Sequence, residues 1–233
     1  MMRKGTLLVI GAAGDVGQGI VAAALASGRR VIASGRGNEK LQRIAALHPG
    51  AAMACVAGDI ATETGAAALW DEAAKKFGGI DAVVVSIRTA TKRQPLMDWC
   101  AEDLCASLIG ELLLHFIAAR IFVPRLPQGG LFVGIGGGTA DFIIPKLAHV
   151  SMSQAAQRMM YRGLAREHRG GAEIRELIVV SMVNGESTRQ DAKSEWVSDV
   201  EIGWHVCAIL DAPAAFPGPV LQLKSREQVG HPE

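Results

Sequence analysis

Thr6-Leu7-Leu8-Val9-Ile10-Gly11-Ala12-Ala13-Gly14-Asp15-Val16-Gly17 is the stretch whose reading decides the fold. A short apolar run enters a turn with glycine at every third position, and Gln18-Gly19-Ile20-Val21 continues in helical style. This is strand, glycine-rich turn, helix. Gly11 permits the sharp turn off the strand, Gly14 lets a pyrophosphate approach the backbone, and Gly17 allows the helix to pack closely on the strand. The N-terminus of that helix offers amide donors and partial positive charge to phosphates. Gly11, Ala13, Gly14, Asp15, Val16 and Gly17 are therefore the expected cofactor-binding residues. The competing reading is a packing turn that holds no ligand.

Moving outward, the second expected strand ends Ile32-Ala33-Ser34-Gly35-Arg36. A site for NAD(H) places a carboxylate here to accept the adenosine ribose hydroxyl. Gly35 carries none, and the planar donor fork of Arg36 suits a 2′-phosphate, so NADP(H) is favoured over NAD(H). A solvated arginine is the alternative. Asp59 closes the third strand, where it either accepts from the adenine amino group or caps the next helix.

The remaining pattern repeats the same alternation. Strands are expected at Thr6–Ile10, Arg30–Ser34, Ala51–Ala57, Ala82–Ser86, Gly130–Ile135, Glu176–Ser181 and Val220–Leu223. Helices are expected at Gly17–Ser27, Asn38–Leu47, Glu63–Phe77, Met97–Arg125, Pro145–His168 and Val197–Leu210. Asp98 stands ahead of the fourth helix, and Pro145 suits the first turn of the fifth. Continuous apolar runs such as Ala82-Val83-Val84-Val85 fit parallel strands covered on both faces. The expected fold is α/β, a doubly wound parallel sheet in three α/β/α layers, forming one domain over residues 1–233. Met182–Asp199, polar and carrying Gly185, reads either as a flap over a pocket or as a surface loop.

Composition narrows the function classes. A net charge of +1 over 233 residues gives no footprint for nucleic acid or an anionic membrane. Mean hydropathy of +0.23 excludes a disordered chain. The run after Met1-Met2-Arg3-Lys4 ends at Gly11, too short for an export signal, and no stretch reads as a bilayer span. Cys55, Cys100, Cys105 and Cys207 form no metal-spaced set and read as free, mostly buried thiols, which points to the cytoplasm. The 27 glycines exceed the roughly 7% of an average chain, so tight turns and close approaches are expected. Tyr161 is the sole tyrosine.

With these segments in hand, the chain resembles the short-chain dehydrogenase/reductases over nearly its full length, which implies a Rossmann-like fold. The likeness rests on Gly11–Gly17, Ala33–Leu41, Gly58-Asp59-Ile60, Gly130–Ile135, Leu164-Ala165-Arg166-Glu167 and the tail Asp199–Leu223. The glycine spacing is similar to that of the extended and atypical branches. The resemblance implies a redox tetrad of asparagine, serine, tyrosine and lysine. Counting from Leu164–Glu167 puts Val150 at the tyrosine position, Gln154 at the lysine, Gly137 at the serine and Ser107 at the asparagine, so the tetrad is absent. Ser86-Ile87-Arg88 replaces the usual turn after the fourth strand, with Ser86 at the cofactor and Gly137 and Val150 lining a substrate pocket, where Arg88 either binds an anionic substrate, partly fills the nicotinamide pocket or is an ordinary surface arginine.

Valine carries no titratable proton, and Gln154 can hydrogen-bond a ribose but supplies no charge. His149 and Ser151 flank the vacant position and are the candidate proton-transfer residues, the alternative for His149 being a capping or surface histidine. Glycines at 136–138 read either as room for a bulky ligand or as a way to bring backbone amides close to one. Glu111 and His115, one helical turn apart, either hydrogen-bond each other or belong to a helix interface. Three readings stay open: an NADP(H)-dependent oxidoreductase with an unconventional proton donor, a catalytically silent dinucleotide-binding sensor or partner subunit, and a non-redox enzyme in a widened pocket. The ligands expected are a small-molecule substrate or dinucleotide. The resemblance also implies a homodimer or homotetramer through the two long helices.

Overall fold

The computed structural model describes residues 4–88 and 92–232; the basic start read at Met1-Met2-Arg3 lies outside them, as does the C-terminal residue. The strands are β1 (Thr6–Ile10), β2 (Arg30–Gly35), β3 (Met53–Ala57), β4 (Ala82–Val85), β5 (Leu131–Gly137), β6 (Glu173–Val179), β7 (Val183–Asn184), β8 (Val197–Ser198) and β9 (Val220–Leu223). The helices are α1 (Asp15–Ala26), α2 (Asn38–Leu47), α3 (Glu63–Phe77), α4 (Ala101–Phe122), α5 (Ala148–Glu167) and α6 (Asp199–Asp211). Seven strands pair in the order β3-β2-β1-β4-β5-β6-β9, all parallel. The order reverses between β1 and β4, and ligands of such sheets bind at that switch point beyond the strand ends.

The period-two alternation of each strand sorts side chains onto two cores. Leu7, Val9, Val31, Val84 and Val133 meet Ile20 and Val21 of α1 and Ile202, Val206 and Ile209 of α6. Leu8, Ile10, Ile32, Val83 and Phe132 meet Leu69 and Trp70 of α3 and Ile117 and Phe122 of α4. Both faces are thus covered, which is why the strands read as unbroken apolar runs.

Several sequence expectations shift at element ends. β5 runs on to Gly137 because Gly136 and Gly137 still pair with Ile178 and Val179. β6 begins at Glu173, ahead of the apolar run, since its polar residues remain in the ladder. The fourth helix does not run unbroken from Met97. A 3₁₀ turn over Leu96–Asp98 is followed by an extended Trp99, and Cys100, not Asp98, caps α4 by accepting from the Asp103 amide at 3.4 Å. Pro145 precedes α5 rather than occupying its first turn, because the helix starts at Ala148. Val197 and Ser198 pair with β7, and Ser198 closes a capping box with Glu201 at the start of α6.

Two composition-based expectations are also corrected. All four cysteines are free, but Cys100 and Cys105 are exposed while Cys207 alone is buried. By length and composition the helical stretch Ala101–Arg125 is long and apolar enough to cross a membrane. The Glu, His and Arg residues along it had hidden that in the sequence. In the fold it lies in a helical layer, with Ile117, Ala118, Ala119 and Phe122 buried against the sheet side.

Candidate functional site

β1 delivers the chain to the switch point with its backbone still paired to β2: the Gly11 and Ala12 amides both donate to the Ser34 carbonyl, at 2.9 and 3.0 Å. Gly11 sits at φ 79°, and a Cβ there would overlap the Ser86 carbonyl oxygen. No L side chain fits that position. Gly17 is equally enclosed, since its Cβ would overlap the Gly11 carbonyl. Gly14, by contrast, is exposed, with only the Gly11 carbonyl at 3.5 Å from where a Cβ would stand. The three glycines therefore divide into two that close the turn and one that leaves it open to a ligand. Gly14 is also the N-cap of α1 and supplies no side-chain acceptor to the first helical amides.

Around this turn the other expected residues take distinct places. Arg36 follows β2, is exposed, and makes no hydrogen bond or ion pair among the described residues. Asp59 does not cap α3. Its Oδ1 accepts from the Ala61 amide at 2.9 Å, while the Thr62 hydroxyl caps the helix through Gly65, because only Thr62 precedes the first helical residue. The Ser86 amide donates to the Ile10 carbonyl at 2.9 Å, holding β4's end against the turn, and Arg88 is exposed. The Asp15 carboxylate is bound by a residue far away in sequence. It accepts from the Ser187 amide at 3.1 Å and from the Ser187 hydroxyl. Gln18 adds a bond from Nε2 to Glu186 Oε2 at 2.9 Å. The 182–199 segment is thus seated on the first turn of α1.

The far side of the site is a polar layer between α4, α5 and the sheet. Gln154 Nε2 donates to Glu111 Oε1 at 2.9 Å, and Gln154 Oε1 accepts from the Gly137 amide. Gln157 Nε2 donates to the Ile135 carbonyl at 3.1 Å and to Glu176 Oε1 at 2.9 Å. Tyr161 Oη bonds His115 Nδ1 at 2.9 Å. All these side chains are buried. Burial holds the His115 imidazole down at about 4 and pushes Glu176 up to about 7. Burial, then the nearby Glu176 carboxyl, raises Tyr161 well above its ordinary value.

These contacts correct the expected widened pocket. A Cβ at Gly134 would overlap Tyr161, one at Gly136 would lie 2.6 Å from Glu176 Oε1, and one at Gly138 would lie 2.7 Å from the Val180 Cα. Gly134 and Gly136 make room for the protein's own side chains and Gly138 for its backbone, while Gly137 is left in ordinary contact with Gln154. Glu176 and Gln157 were missed by sequence reasoning. The available signal was a pair of charged residues, Arg175-Glu176, inside a strand flanked on both sides.

A sequence model of the enoyl-(acyl carrier protein) reductase family matches residues 11–207. The chain belongs to the short-chain dehydrogenase/reductase superfamily. Members of this superfamily are oxidoreductases that work with a nicotinamide dinucleotide. The chain is 30% identical over 166 residues to 2,3-dihydroxy-2,3-dihydro-p-cumate dehydrogenase from Pseudomonas putida, an alignment covering 69% of this chain and 63% of that one. It therefore spans less than two thirds of that relative's length. A short-chain dehydrogenase/reductase of Brucella melitensis, described as a glucose/ribitol dehydrogenase, superposes with a TM-score of 0.82 at 20% identity, covering 95% and 96% of the two chains. A short-chain oxidoreductase of Pseudomonas aeruginosa, described as containing an atypical catalytic center, superposes with a TM-score of 0.82 at 14% identity and 94% coverage of each. Both structural likenesses show the fold.

The superfamily's redox positions are held here by groups with other occupations. Val150, at the tyrosine position, is half-buried. Gln154, at the lysine position, bonds Glu111 through its amide nitrogen and Gly137 through its amide oxygen, and each end keeps a further N–H or lone pair that a ribose hydroxyl could use. The Ser151 hydroxyl donates to the Phe142 carbonyl at 2.8 Å, which ties the proton of that candidate to the loop before α5. Ser107 is half-buried on α4, and Ser153 reaches the neighbouring Leu108 carbonyl at 3.3 Å. Glu111 and His115 face α5 through Gln154 and Tyr161. The sole tyrosine is accordingly a core residue.

His149 is the candidate left with chemistry to offer. Only 1% exposed, its ring lies 4.6 Å from that of Trp99, and neither imidazole nitrogen has a hydrogen-bond partner. The Trp99 indole nitrogen is likewise buried and unpartnered. Burial lowers the His149 pKa, which favours the neutral ring. Just before α5, Lys146 takes a left-handed φ of 68°, and its carbonyl accepts from the Gln94 amide at 3.1 Å. Such strain in a non-glycine residue is typical of segments that serve a site.

Proposed function

We propose that this chain is an NADP(H)-binding oxidoreductase of the superfamily with a non-standard active site, built as one dinucleotide-binding domain over residues 1–233. The open Gly14 between two closed glycines is the observation that carries the binding half of this reading. Gly11, Ala13, Gly14, Asp15, Val16 and Gly17 would lie along the diphosphate, Asp59 and Ser86 would flank the adenosine and nicotinamide halves, and Arg36 would take the 2′-phosphate. The residues at the adenosine end fit such a ligand: Arg36 is exposed and uncommitted, and the turn has a face that no side chain fills. When bound, the cofactor supplies hydride transfer at its nicotinamide ring.

The proton has to be handled by this chain without tyrosine or lysine. A neutral imidazole suits removal of a proton from a hydroxyl, so His149 supports the oxidising direction on an alcohol or diol. Val150 and Gly137 would line the substrate pocket, with Arg88 at its exposed edge. Titration calorimetry with NADPH and NADH, followed by nicotinamide absorbance over a panel of alcohols, diols and carbonyl compounds, tests the two halves separately. Tighter NADPH than NADH binding and turnover abolished in His149→Ala are expected. Turnover unchanged in that variant would remove His149 from the reading.

A second reading is favoured by one observation, the closed Glu111–Gln154–Gly137 bridge at the lysine position. It makes the chain a catalytically silent dinucleotide-binding sensor or partner subunit. Binding of NADPH without turnover across the whole panel is its signature. In either reading a second copy would cover the apolar outer stripe of α4 and α5, giving a homodimer or homotetramer.

A further inference from the structure

We propose that Asp15 is a latch residue: through Ser187 it seats the 183–188 segment on the glycine-rich turn, and its charge lowers affinity for the dinucleotide that the turn accepts. The inference rests on the dinucleotide reading for its second half only. Asp15 is the first residue of α1, directly after the open Gly14. That is where the helix end offers uncapped amides and partial positive charge to an anion. A carboxylate fixed at this position competes with a diphosphate for the same field.

The carboxylate is not left to solvent. Both its oxygens are taken by Ser187, one from the amide at 3.1 Å and the other from the hydroxyl. The seat is reinforced on both sides. Gln18, one turn along α1, holds Glu186 at 2.9 Å, and the Thr188 hydroxyl accepts from the Gly185 amide at 3.1 Å while donating to the Val183 carbonyl at 2.7 Å. Gly185 is buried at the contact, and a Cβ there would lie 2.5 Å from the Asp15 Cβ. Only glycine lets the segment come this close. Beside this contact β7 pairs with β8, which fixes the base of the excursion between them.

The local charge reinforces the argument. Asp199, at the start of α6, has its pKa raised by burial and in part by Asp15, with Arg189 of the same excursion acting against it. Asp15 and Asp199 thus repel each other at this corner, where Ser187 supplies two donors to the Asp15 carboxylate. A bound diphosphate would add negative charge to this corner, and unit charges about 4–5 Å apart near a surface interact strongly enough to change a dissociation constant about tenfold.

The test uses the full chain with two substitutions and two readouts. Amide hydrogen exchange without ligand reports the latch, and calorimetry with NADPH reports affinity. Asp15→Asn is expected to speed exchange at residues 185–188 at least about fivefold and to tighten NADPH binding about tenfold. Ser187→Ala is expected to speed exchange in the same segment while leaving NADPH no tighter, because the charge on Asp15 stays. Unchanged exchange in both variants would overturn the latch. Tightening in Ser187→Ala equal to that in Asp15→Asn, or weaker binding in Asp15→Asn, would overturn the charge argument. Absence of NADPH binding in the wild type and both variants would overturn the dinucleotide reading, whereas the exchange result, obtained without ligand, decides the latch alone.

Discussion

Single residues here carry roles that their types alone do not announce. Arg36 is exposed and has no hydrogen-bond or ion-pair partner among the described residues, so under the proposed reading its role is toward the 2′-phosphate. A charged hydrogen bond contributes about 1.5–3 kcal/mol, so Arg36→Ser should weaken NADPH at least about tenfold while leaving NADH nearly unchanged. Calorimetry with both nucleotides checks it, and equal losses would show that the arginine does not read the phosphate. Tyr161 is the opposite case. Its hydroxyl is spent on His115 inside the core, so Tyr161→Phe should cost about 1–3 kcal/mol in denaturant unfolding by orphaning the His115 Nδ1. NADPH affinity should not move. A change in affinity with stability intact would return the tyrosine to the site.

Among the elements, α4 and α5 invert the usual pattern. α5 buries Ser151, Ser153, Gln154, Gln157 and Tyr161, while α4 buries Glu111 and His115 and exposes Ile109, Leu113 and Phe116. The inversion follows from the polar layer that joins them to β5 and β6, and it has a pH signature. Glu176, raised from 4.5 to about 7, keeps a proton in the folded chain that the unfolded chain releases, so its stability contribution is lost as pH rises through that range. His115, lowered from 6.5 to about 4, refuses a proton the unfolded chain takes, so its contribution is lost as pH falls. Each amounts to about 3 kcal/mol, and between pH 4.5 and 6.5 the two slopes oppose. The wild type should therefore be nearly level in that window. Glu176→Gln removes one slope and should leave a protein that loses about 2 kcal/mol on acidification from pH 6.5 to 4.5. Urea titrations at stepped pH measure this, and parallel curves for the two proteins would contradict it.

For the molecule as a whole, the sheet order places the glycine-rich turn and the end of β4 together at the switch point, while the outer stripe of α4 and α5 remains apolar. Ile109, Leu113 and Phe116 recur at helical spacing on α4, and Met152 and Met159 do so on α5, the last 63% exposed. An apolar stripe of this kind on two adjacent helices fits a self-complementary contact with a second copy. Light scattering should give at least twice the 24.5 kDa of one chain. Leu113→Glu combined with Met159→Glu should return the mass to that of a single chain with the fold intact by circular dichroism. A wild type that scatters as one chain at micromolar concentration would remove the contact.

The sequence by itself determined the fold class and the strand–glycine turn–helix unit, because both depend on local rules. Strand alternation, glycine spacing and the absence of a carboxylate after β2 are readable without any neighbour. It also determined what Val150 and Gly137 cannot do, since missing atoms need no context. The tertiary structure alone decided what replaces them. That Gly134 and Gly136 admit Tyr161 and Glu176 rather than a ligand depends on α5 lying against β5. That Gln154 bridges Glu111 to Gly137 depends on three elements meeting. That Asp15 holds Ser187 depends on two residues far apart in sequence being brought together by the return of the chain after β6. Polar pairing across elements leaves no periodic trace in a sequence, because each partner looks like an ordinary solvated residue until the fold excludes the water.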